Sequence, residues 1–164
     1  MVWLGLGANI GNRLDNIRKS IDALCLLLTD VAVSSLYETA AQDYTDQPDF
    51  LNAVLRGSTP LTPELLLEEI HHIEKAGGRY RTSGRPKGPR TIDIDILLYG
   101  RDIQKINFAD GRDLEIPHRS MDLRLFVLKP LLELDPDLTD PRDGVSWAEK
   151  ASHLSGQRVK LYLK

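Results

Sequence analysis

The sequence predicts an α+β fold of the ferredoxin-like sandwich type, and three observations support that class. Apolar periodicity gives the element order β–α–β–β–α–β. The second and third strands follow each other with no helix between them, which disfavours a doubly wound parallel fold. A strand over 91–99 alternates acidic with apolar side chains, as strands with one open face do. We therefore expect a mostly antiparallel sheet with helices on one face and an active site on loops at the other.

Each element rests on a local signal. Residues 1–6 alternate in side-chain character, and the helix after the turn-rich loop at 7–12 has one apolar face. Thr62-Pro63-Glu64 is a helix start, and Gly77-Gly78 ends that helix. The predicted elements are, in order, a strand over 1–6, a helix from about 12 to 28, strands over 31–38 and 50–57, a helix from 63 to about 75, strands over 91–99 and 113–116, and a helix over 121–134 interrupted near Pro130.

Composition indicates one globular domain, residues 1–164, with 41% apolar and 27% charged residues. A net charge of −3 and a pI near 5.8 argue against a general nucleic-acid binder. Apolar runs are too short for a membrane span, and no targeting signal is visible, so we expect a cytoplasmic monomer. Cys25 lies in an apolar run, which predicts a buried, unreactive thiol.

Residues 79–95 are the most informative segment. From Lys75 to Ile92 there are six cations and no acid, and most of this segment is a loop rich in glycine and proline that can close over a polyanion. Asp93 and Asp95 follow on one strand face, roughly 6.5–7 Å apart. Paired carboxylates suit Mg²⁺, and arginines bind phosphate through two parallel hydrogen bonds. The segment predicts a magnesium site for a polyphosphate nucleotide; a solvated polar face beside a solvated charged loop is the alternative.

Familiar nucleotide motifs do not explain this segment. A dinucleotide fingerprint at Gly5-x-Gly7 would need glycine at position 10, which is Ile10, and no P-loop pattern is present. His118 follows Ile116-Pro117 and suits either a phosphate contact or a structural role. Phe126 lies in an apolar run that by pattern alone indicates core. The histidine pair at 71–72 lacks the spacing of a zinc site.

Several separate motifs, taken together, resemble the 6-hydroxymethyl-7,8-dihydropterin pyrophosphokinase family of folate biosynthesis. The resemblance covers almost the whole chain. Its motifs are Gly5-Leu6-Gly7-Ala8-Asn9-Ile10-Gly11, Ser34-Ser35-Leu36-Tyr37-Glu38-Thr39, Asp46-Gln47-Pro48-Asp49-Phe50-Leu51-Asn52-Ala53, Ile73-Glu74 with Gly78-Arg79-Tyr80-Arg81, Gly88-Pro89-Arg90-Thr91-Ile92-Asp93-Ile94-Asp95-Ile96-Leu97, and Ile116-Pro117-His118 with Met121, Arg124 and Phe126.

The resemblance implies a ferredoxin-like fold and transfer of the diphosphate of ATP to a reduced pterin, releasing AMP. It implies two Mg²⁺ ions on Asp93 and Asp95, with ATP as co-substrate. The residues that it assigns to ATP are His71, Arg79, Arg81, Arg90, His118 and Arg124, and Arg81 and Arg90 join the two acids in catalysis. Those that it assigns to the pterin are Gly7, Thr39, Phe50, Asn52 and Phe126, so that Phe126 stacks on the ring instead of filling the core. It also implies three mobile loops, at about 7–12, 40–49 and 77–90.

The chain departs from the family pattern in its loops. Pro86-Lys87 stands where a basic residue and tryptophan are usual, and Ala40-Ala41 replaces prolines. Arg119 replaces a common tyrosine, Phe50 another, and His71 stands where glutamine is frequent. The metal positions are intact, so we expect activity to survive. The competing hypotheses are an RNA-binding module, whose aromatic signature is absent, a metal-dependent phosphatase or nucleotidyl transferase, and a pterin-binding protein without turnover.

Overall fold

A computed structural model describes residues 1–41, 47–79 and 88–163 of the protein. Its elements are β1 (Val2–Ala8), α1 (Arg13–Leu24), β2 (Thr29–Val33), β3 (Leu36–Thr39), β4 (Phe50–Ser58), α2 (Pro63–Ala76), β5 (Asp93–Tyr99), β6 (Gln104–Asn107), β7 (Asp113–Ile116), α3 (Leu125–Leu134), α4 (Trp147–Ser152) and β8 (Lys160–Leu163), with a 3-10 turn over Met121–Leu123. The order β–α–β–β–α–β is confirmed, with the second strand divided into β2 and β3.

The main sheet is antiparallel and runs in the order β5-β1-β4-β3-β8, with β2 also pairing with β4. Strand β1 therefore lies between β4 and the acidic strand β5. Its register sets Gly7 opposite Asn52 on one side and Asp93 on the other. Side chains in register on neighbouring strands share a face, so this row of three residues crosses the sheet on one side.

Helices α1 and α2 pack on one face of the sheet, as predicted. Their buried residues share a core with alternate residues of β1, β4 and β5: Val2, Leu4, Leu6, Ile17, Leu24, Leu51, Leu55, Leu66, Ile70, Ile94 and Ile96. The opposite face is only partly open, because α3 and α4 cover it with a second core around Trp3, Leu97 and Trp147. The expectation of helices on one face therefore missed a layer, and what stays open is the part beside Gly5 and Gly7.

Helix α1 ends at Leu24, four residues before its predicted end. The Cys25 N–H still donates to the carbonyl of Ile21, at 2.9 Å, and the chain then turns. This turn exposes Cys25 and leaves Leu26 87% exposed, while Leu28 returns to the core. The prediction of a buried thiol at Cys25 was therefore wrong, because the apolar run does not continue as helix.

The predicted strand over 31–38 is divided at Ser34 and Ser35. The Ser34 hydroxyl donates to the carbonyl of Ser35, at 2.8 Å, and accepts from the backbone N–H of Val54, at 2.9 Å. Serine hydroxyls that bond to nearby backbone groups compete with the strand ladder. The result is a break between β2 and β3, both of which still pair with β4.

Helix α2 has the start and end that the sequence predicts. Thr62 is the N-cap, with its hydroxyl accepting from the N–H of Leu65, and Pro63 follows in the first turn. At the other end the Gly77 N–H donates to Ile73, and Gly78 has a φ of +81°, a conformation that favours glycine. These signals fix the point at which the chain leaves α2 for the cationic loop.

The predicted helix over 121–134 is interrupted at Arg124 and not near Pro130. Arg124 is extended, with φ −128° and ψ 100°, and separates the 3-10 turn from α3. Pro130 lies inside α3 and is buried with Leu128 and Leu131. Burial of this apolar face outweighs the helical hydrogen bond that proline cannot donate. Within the described residues, no helix is both long and apolar enough to cross a membrane.

Candidate active site

Two cavities meet at the end strand β5 of the main sheet. The first, about 130 Å³, is lined by residues of β1, β3, β4 and the start of α3. The second, about 500 Å³, extends from β5 past the end of α2 to β7. Four residues line both cavities: Arg90, Asp93, Asp95 and Arg124. A ligand in one cavity would therefore lie beside a ligand in the other, with two carboxylates and two guanidiniums between them.

The acidic pair has the arrangement that alternation predicts. Ile92, Ile94 and Ile96 are buried on the helix side, while Asp93 and Asp95 are half-buried on the other face. Burial and the neighbouring Asp93 carboxylate raise the pKa of Asp95 above its ordinary value. Two carboxylates held this close repel each other, so the pair suits a cation between or beside them.

Both oxygens of Asp93 already have guanidinium partners. Arg79 forms ion pairs with Asp93 and Glu74, and Arg90 pairs with the other Asp93 oxygen. Glu74 is 2% exposed and also accepts the backbone N–H of Ile94, at 2.9 Å, which ties the end of α2 to β5. The sequence analysis named Glu74 in a family motif but gave it no role, although a glutamate on the buried face of an amphipathic helix is the signal that could have identified one.

Asn9 connects the loops around the site and was also missed. It is 1% exposed, and its side-chain oxygen accepts the N–H of Arg90, at 2.8 Å. Its amide nitrogen donates to the Gln47 side chain and to the carbonyl of Pro48, at 2.9 and 3.1 Å. The Asn9 N–H donates to the carbonyl of Arg90, at 3.1 Å. One buried amide therefore joins the segments at 8–12, 47–49 and 88–90.

Two polar residues, Asn52 and Thr39, line the first cavity. Asn52 and Thr39 are both buried, and the Asn52 amide donates to the Thr39 hydroxyl at 2.8 Å. Gly7 lies between Asn52 and Asp93 and has no side chain to fill the space beside them. Phe50 and Phe126 contribute aromatic walls. All five residues that the resemblance assigned to the pterin therefore lie around one cavity.

Charged side chains line the second cavity: five arginines and, beside Asp93 and Asp95, the acids Asp113 and Glu115. His118 is one of the lining residues, and its Nδ1 accepts the N–H of Ser120, at 3.3 Å. This hydrogen bond fixes the orientation of the imidazole at the site. Arg124 lies over the Phe126 ring, 5.7 Å from its centroid. Arg119 pairs with Asp113, and His71 lies at the far end of the cavity. Arg81, and the departure at Pro86-Lys87, fall outside the described residues.

The donor set bears on which metal the site could hold. The described part of the chain contains no cluster of three or more His, Cys, Asp or Glu side chains suited to a metal. Asp93 and Asp95 alone supply two carboxylates, next to a cavity lined with cations. Mg²⁺ commonly takes one or two carboxylates and fills its remaining positions with water and substrate phosphates. The residues present fit Mg²⁺ in that mode.

Comparisons with known proteins show which family the chain belongs to. Residues 3–136 match the protein family described as 7,8-dihydro-6-hydroxymethylpterin-pyrophosphokinase. The chain is 40% identical to the 2-amino-4-hydroxy-6-hydroxymethyldihydropteridine pyrophosphokinase of Aquifex aeolicus, a match that covers 85% of this chain and 83% of that protein. It is 42% identical to the folic acid synthesis protein fol1 of Pneumocystis carinii, over 99% of this chain but only 21% of that protein.

The chain thus spans about a fifth of the length of the fol1 relatives that it matches. Among solved structures, wild-type HPPK-DHPS of Plasmodium falciparum aligns with 93% of this chain and 43% of its own, with a TM-score of 0.71 and 16% identity, which supports the α+β fold. The family resemblance inferred from the sequence motifs is confirmed, and this chain belongs to the 7,8-dihydro-6-hydroxymethylpterin-pyrophosphokinase family.

Proposed function

We propose that the chain transfers the β,γ-diphosphate of ATP to the hydroxymethyl oxygen of 6-hydroxymethyl-7,8-dihydropterin, a step of folate biosynthesis. The pterin hydroxyl oxygen forms a bond to the β-phosphorus and loses its proton to solvent, the bond from that phosphorus to the α,β-bridging oxygen breaks, and AMP leaves with that oxygen. The observation that carries the proposal is that a cavity lined by the Asn52 amide and two phenylalanines meets a cavity lined by five arginines, at Asp93 and Asp95.

The first cavity suits the pterin. A flat heterocycle with amide-like edges needs a side-chain amide in its plane and an aromatic face against its ring. Asn52 supplies the amide, held in place by Thr39, and Phe50 and Phe126 supply the faces. The open space above Gly7 lets the ring approach the sheet and brings its hydroxymethyl group toward the two carboxylates.

The second cavity suits ATP, with the triphosphate on its cationic side. We assign phosphate contacts to Arg79, Arg90, His118 and Arg124, and add Arg81 from the family resemblance alone. Arg79 and Arg90 now neutralise Asp93, so each must exchange a carboxylate for a phosphate when the nucleotide binds. Phosphoryl transfer depends mainly on alignment and charge neutralisation, which a fixed set of guanidiniums provides.

Asp93 and Asp95 would hold Mg²⁺. The family resemblance implies two such ions. Bound Mg²⁺ would neutralise phosphate charge and orient the oxygens around the reacting phosphorus. The two aspartates supply ligands for it at the boundary of both cavities, next to Arg90 and Arg124.

The test is to incubate the protein with ATP, Mg²⁺ and 6-hydroxymethyl-7,8-dihydropterin and identify the nucleotide product. AMP that forms only when all three are present supports the proposal. ADP would indicate single-phosphate transfer or hydrolysis, and pyrophosphate release would indicate nucleotidyl transfer; either result would contradict it. Pterin binding without any product would favour a binding protein.

The remaining expectations stay predictions. A monomer of one domain, without nucleic-acid or membrane partners and in the cytoplasm, is what the sequence alone indicates. The location is open to test, since one relative, the folate synthesis bifunctional protein of Pisum sativum, is described as mitochondrial. Light scattering would test the monomer, and microscopy of the tagged protein would test its location.

A further inference from the structure

Gln157 holds the backbone on both sides of Arg124, one of the residues that line both cavities. The Gln157 side-chain oxygen accepts the N–H of Leu125, at 2.9 Å. Its side-chain nitrogen donates to the carbonyl of Leu123, also at 2.9 Å. A side-chain amide supplies both an acceptor and a donor, so one glutamine satisfies the two backbone groups that flank Arg124.

The conformation at Arg124 needs this support. Arg124 is extended and lies directly before the first residue of α3. The first N–H groups of a helix have no partners within the helix, and an arginine side chain, which carries only donors, cannot supply the missing acceptor. Gln157 supplies it for Leu125. The break between the 3-10 turn and α3 is therefore stabilised by a segment that is distant in sequence.

Gln157 is itself held in place. Its backbone N–H donates to the carbonyl of Leu154, at 2.9 Å, and Leu154 packs against the second core. Two residues after Gln157, the carbonyl of Val159 accepts from Lys129 of α3, at 3.1 Å. Strand β8 follows and pairs with β3. Because the chain is attached on both sides of Gln157, its amide has a defined position against the start of α3.

The place of the Arg124 side chain matters to both cavities. Its guanidinium lies over the Phe126 ring, 5.7 Å from the centroid, and both residues line the first cavity. Arg124 also lines the second cavity, together with Asp93 and Asp95. A rotation of the backbone at Arg124 would displace this charge, and phosphoryl transfer depends on alignment.

We propose that Gln157 is a positioning residue: its two hydrogen bonds to the backbone beside Arg124 set the place of the Arg124 guanidinium for the nucleotide phosphates. The inference rests on the proposed function, which assigns Arg124 to phosphate. Gln157 lies beyond residues 3–136, the part of the chain that matches the family, and the family motifs give it no role.

The first test needs neither substrate. Amide hydrogen exchange, followed by NMR on the intact protein, reports whether the Leu125 N–H is bonded. Gln157→Ala should speed exchange at Leu125 about tenfold and leave the amide of Leu131, deeper in α3, unchanged. Equal exchange rates at Leu125 in the variant and the wild-type protein would overturn the proposal.

The second test is calorimetric binding of α,β-methylene-ATP with Mg²⁺. Gln157→Ala should raise the Kd about three- to tenfold, because the Arg124 guanidinium is no longer held toward the phosphates. Gln157→Glu has nearly the same shape and keeps the acceptor, but a carboxylate cannot donate to the Leu123 carbonyl, so the Kd should rise about threefold. Ser155→Ala, which changes an exposed serine in the turn before Gln157, is the matched control and should leave the Kd unchanged.

A double-mutant cycle separates positioning from a general loss of stability. In an Arg124→Ala background, Gln157→Ala should change the Kd by less than about twofold, because the guanidinium through which it acts is gone. A residue that only stabilised α3 would weaken binding by the same factor in both backgrounds, and that result would overturn the proposal. The kcat for AMP formation should follow the same pattern as the Kd.

The outcomes separate the two proposals. If the wild-type protein binds the analogue and forms AMP, but Gln157→Ala matches Ser155→Ala, the inference fails and the proposed function stands. If the wild-type protein does not bind the analogue, both fail. Circular dichroism checks that each variant folds. If Gln157→Ala does not fold, Gln157→Glu decides: an unchanged Kd would overturn the inference, and a raised Kd that disappears in the Arg124→Ala background would support it.

Discussion

The two cavities share the same carboxylates, but they are built in different ways. The first is built largely on the sheet, from residues such as Asn52 and Gly7 whose positions follow from strand register. The second is lined by side chains from separate elements, several of which already have partners inside the protein, such as Arg79 on Glu74 and Asp93. The cavity proposed for the pterin is thus already formed, whereas binding of the proposed nucleotide would require the arginines to exchange internal ion pairs for phosphate contacts.

The largest effect is expected where the cavities meet. Asp95→Ala should lower AMP formation by about 10³-fold or more, because the substrate phosphates lose a ligand for their counter-cation. The fold should persist, since the substitution removes a carboxylate whose surroundings already raise its pKa. AMP assays and circular dichroism check both expectations.

Asp102→Ala is the matched control, since Asp102 is exposed in the turn directly after β5. It should retain full turnover. Full activity of Asp95→Ala with Mg²⁺ would refute the assignment of Asp95 to the metal.

Asn52→Ala separates the first cavity from the second. It should reduce kcat/KM for the pterin about 10²-fold, because a site built to hydrogen-bond its ligand loses the amide, while the Kd of the ATP analogue stays the same. Thr39→Val removes the hydroxyl that accepts from the Asn52 amide and lines the same cavity, and should lower kcat/KM for the pterin about tenfold. Equal losses in pterin and nucleotide affinity would mean that the two cavities are not distinct in function.

Asn9→Ala tests whether the cavities depend on a common support. Loss of its hydrogen bonds to 47–48 and Arg90 should lower kcat/KM about tenfold and the free energy of unfolding by about 1–3 kcal/mol. Asn12→Ala, which removes the N-cap of α1 in the same loop, should cost about 1 kcal/mol of stability and leave turnover unchanged. If the two variants had equal turnover, Asn9 would be a structural residue only.

The smallest effect on turnover is expected far from both cavities, at the buried Asp140. Burial alone would raise its pKa, but hydrogen bonds from Arg142 and Lys150 outweigh burial and lower the pKa from 3.8 to about 2. The folded-state pKa is the lower one, so this stabilisation is present above about pH 4 and is lost as the pH falls toward 2.

The shift corresponds to roughly 2 kcal/mol, which Asp140→Asn should remove near neutral pH without changing AMP formation. Urea unfolding at several pH values checks this. Asp143→Asn, in which an exposed partner of Lys150 is neutralised, should show a smaller change. A stability difference for Asp140→Asn that persists unchanged at low pH would contradict the ionic origin of the effect.

The sequence was sufficient for what depends on local pattern. The alternation of β5, the cap at Thr62 and the end of α2 at Gly77-Gly78 all follow from neighbouring residues, and the structure agrees with them. The family motifs led further: Phe126, which the pattern alone placed in the core, lies at the first cavity.

The rest depends on contacts distant in sequence. Strand β8 was not predicted, because its four residues are all exposed and gain their conformation by pairing with β3. The covering of the second face by α3 and α4 was missed because it depends on packing against residues of β1 and β5 that are distant in sequence. The spacing of Glu74 from Leu66 and Ile70 sets it on the buried face of α2, but the partners of Asn9 and Glu74 lie in segments that only the fold brings near.

At Gly7 a single added methyl group would be compatible with the fold and incompatible with the proposed substrate. A methyl group at this position would meet the Asn52 oxygen at 3.4 Å and Phe50 at 3.8 Å, which are ordinary contact distances. The sheet could therefore accept alanine, and by restricting the unfolded chain would gain from it. The same methyl would stand where the proposed substrate ring must lie, so at this position the stability of the strand and the use of its surface are opposed.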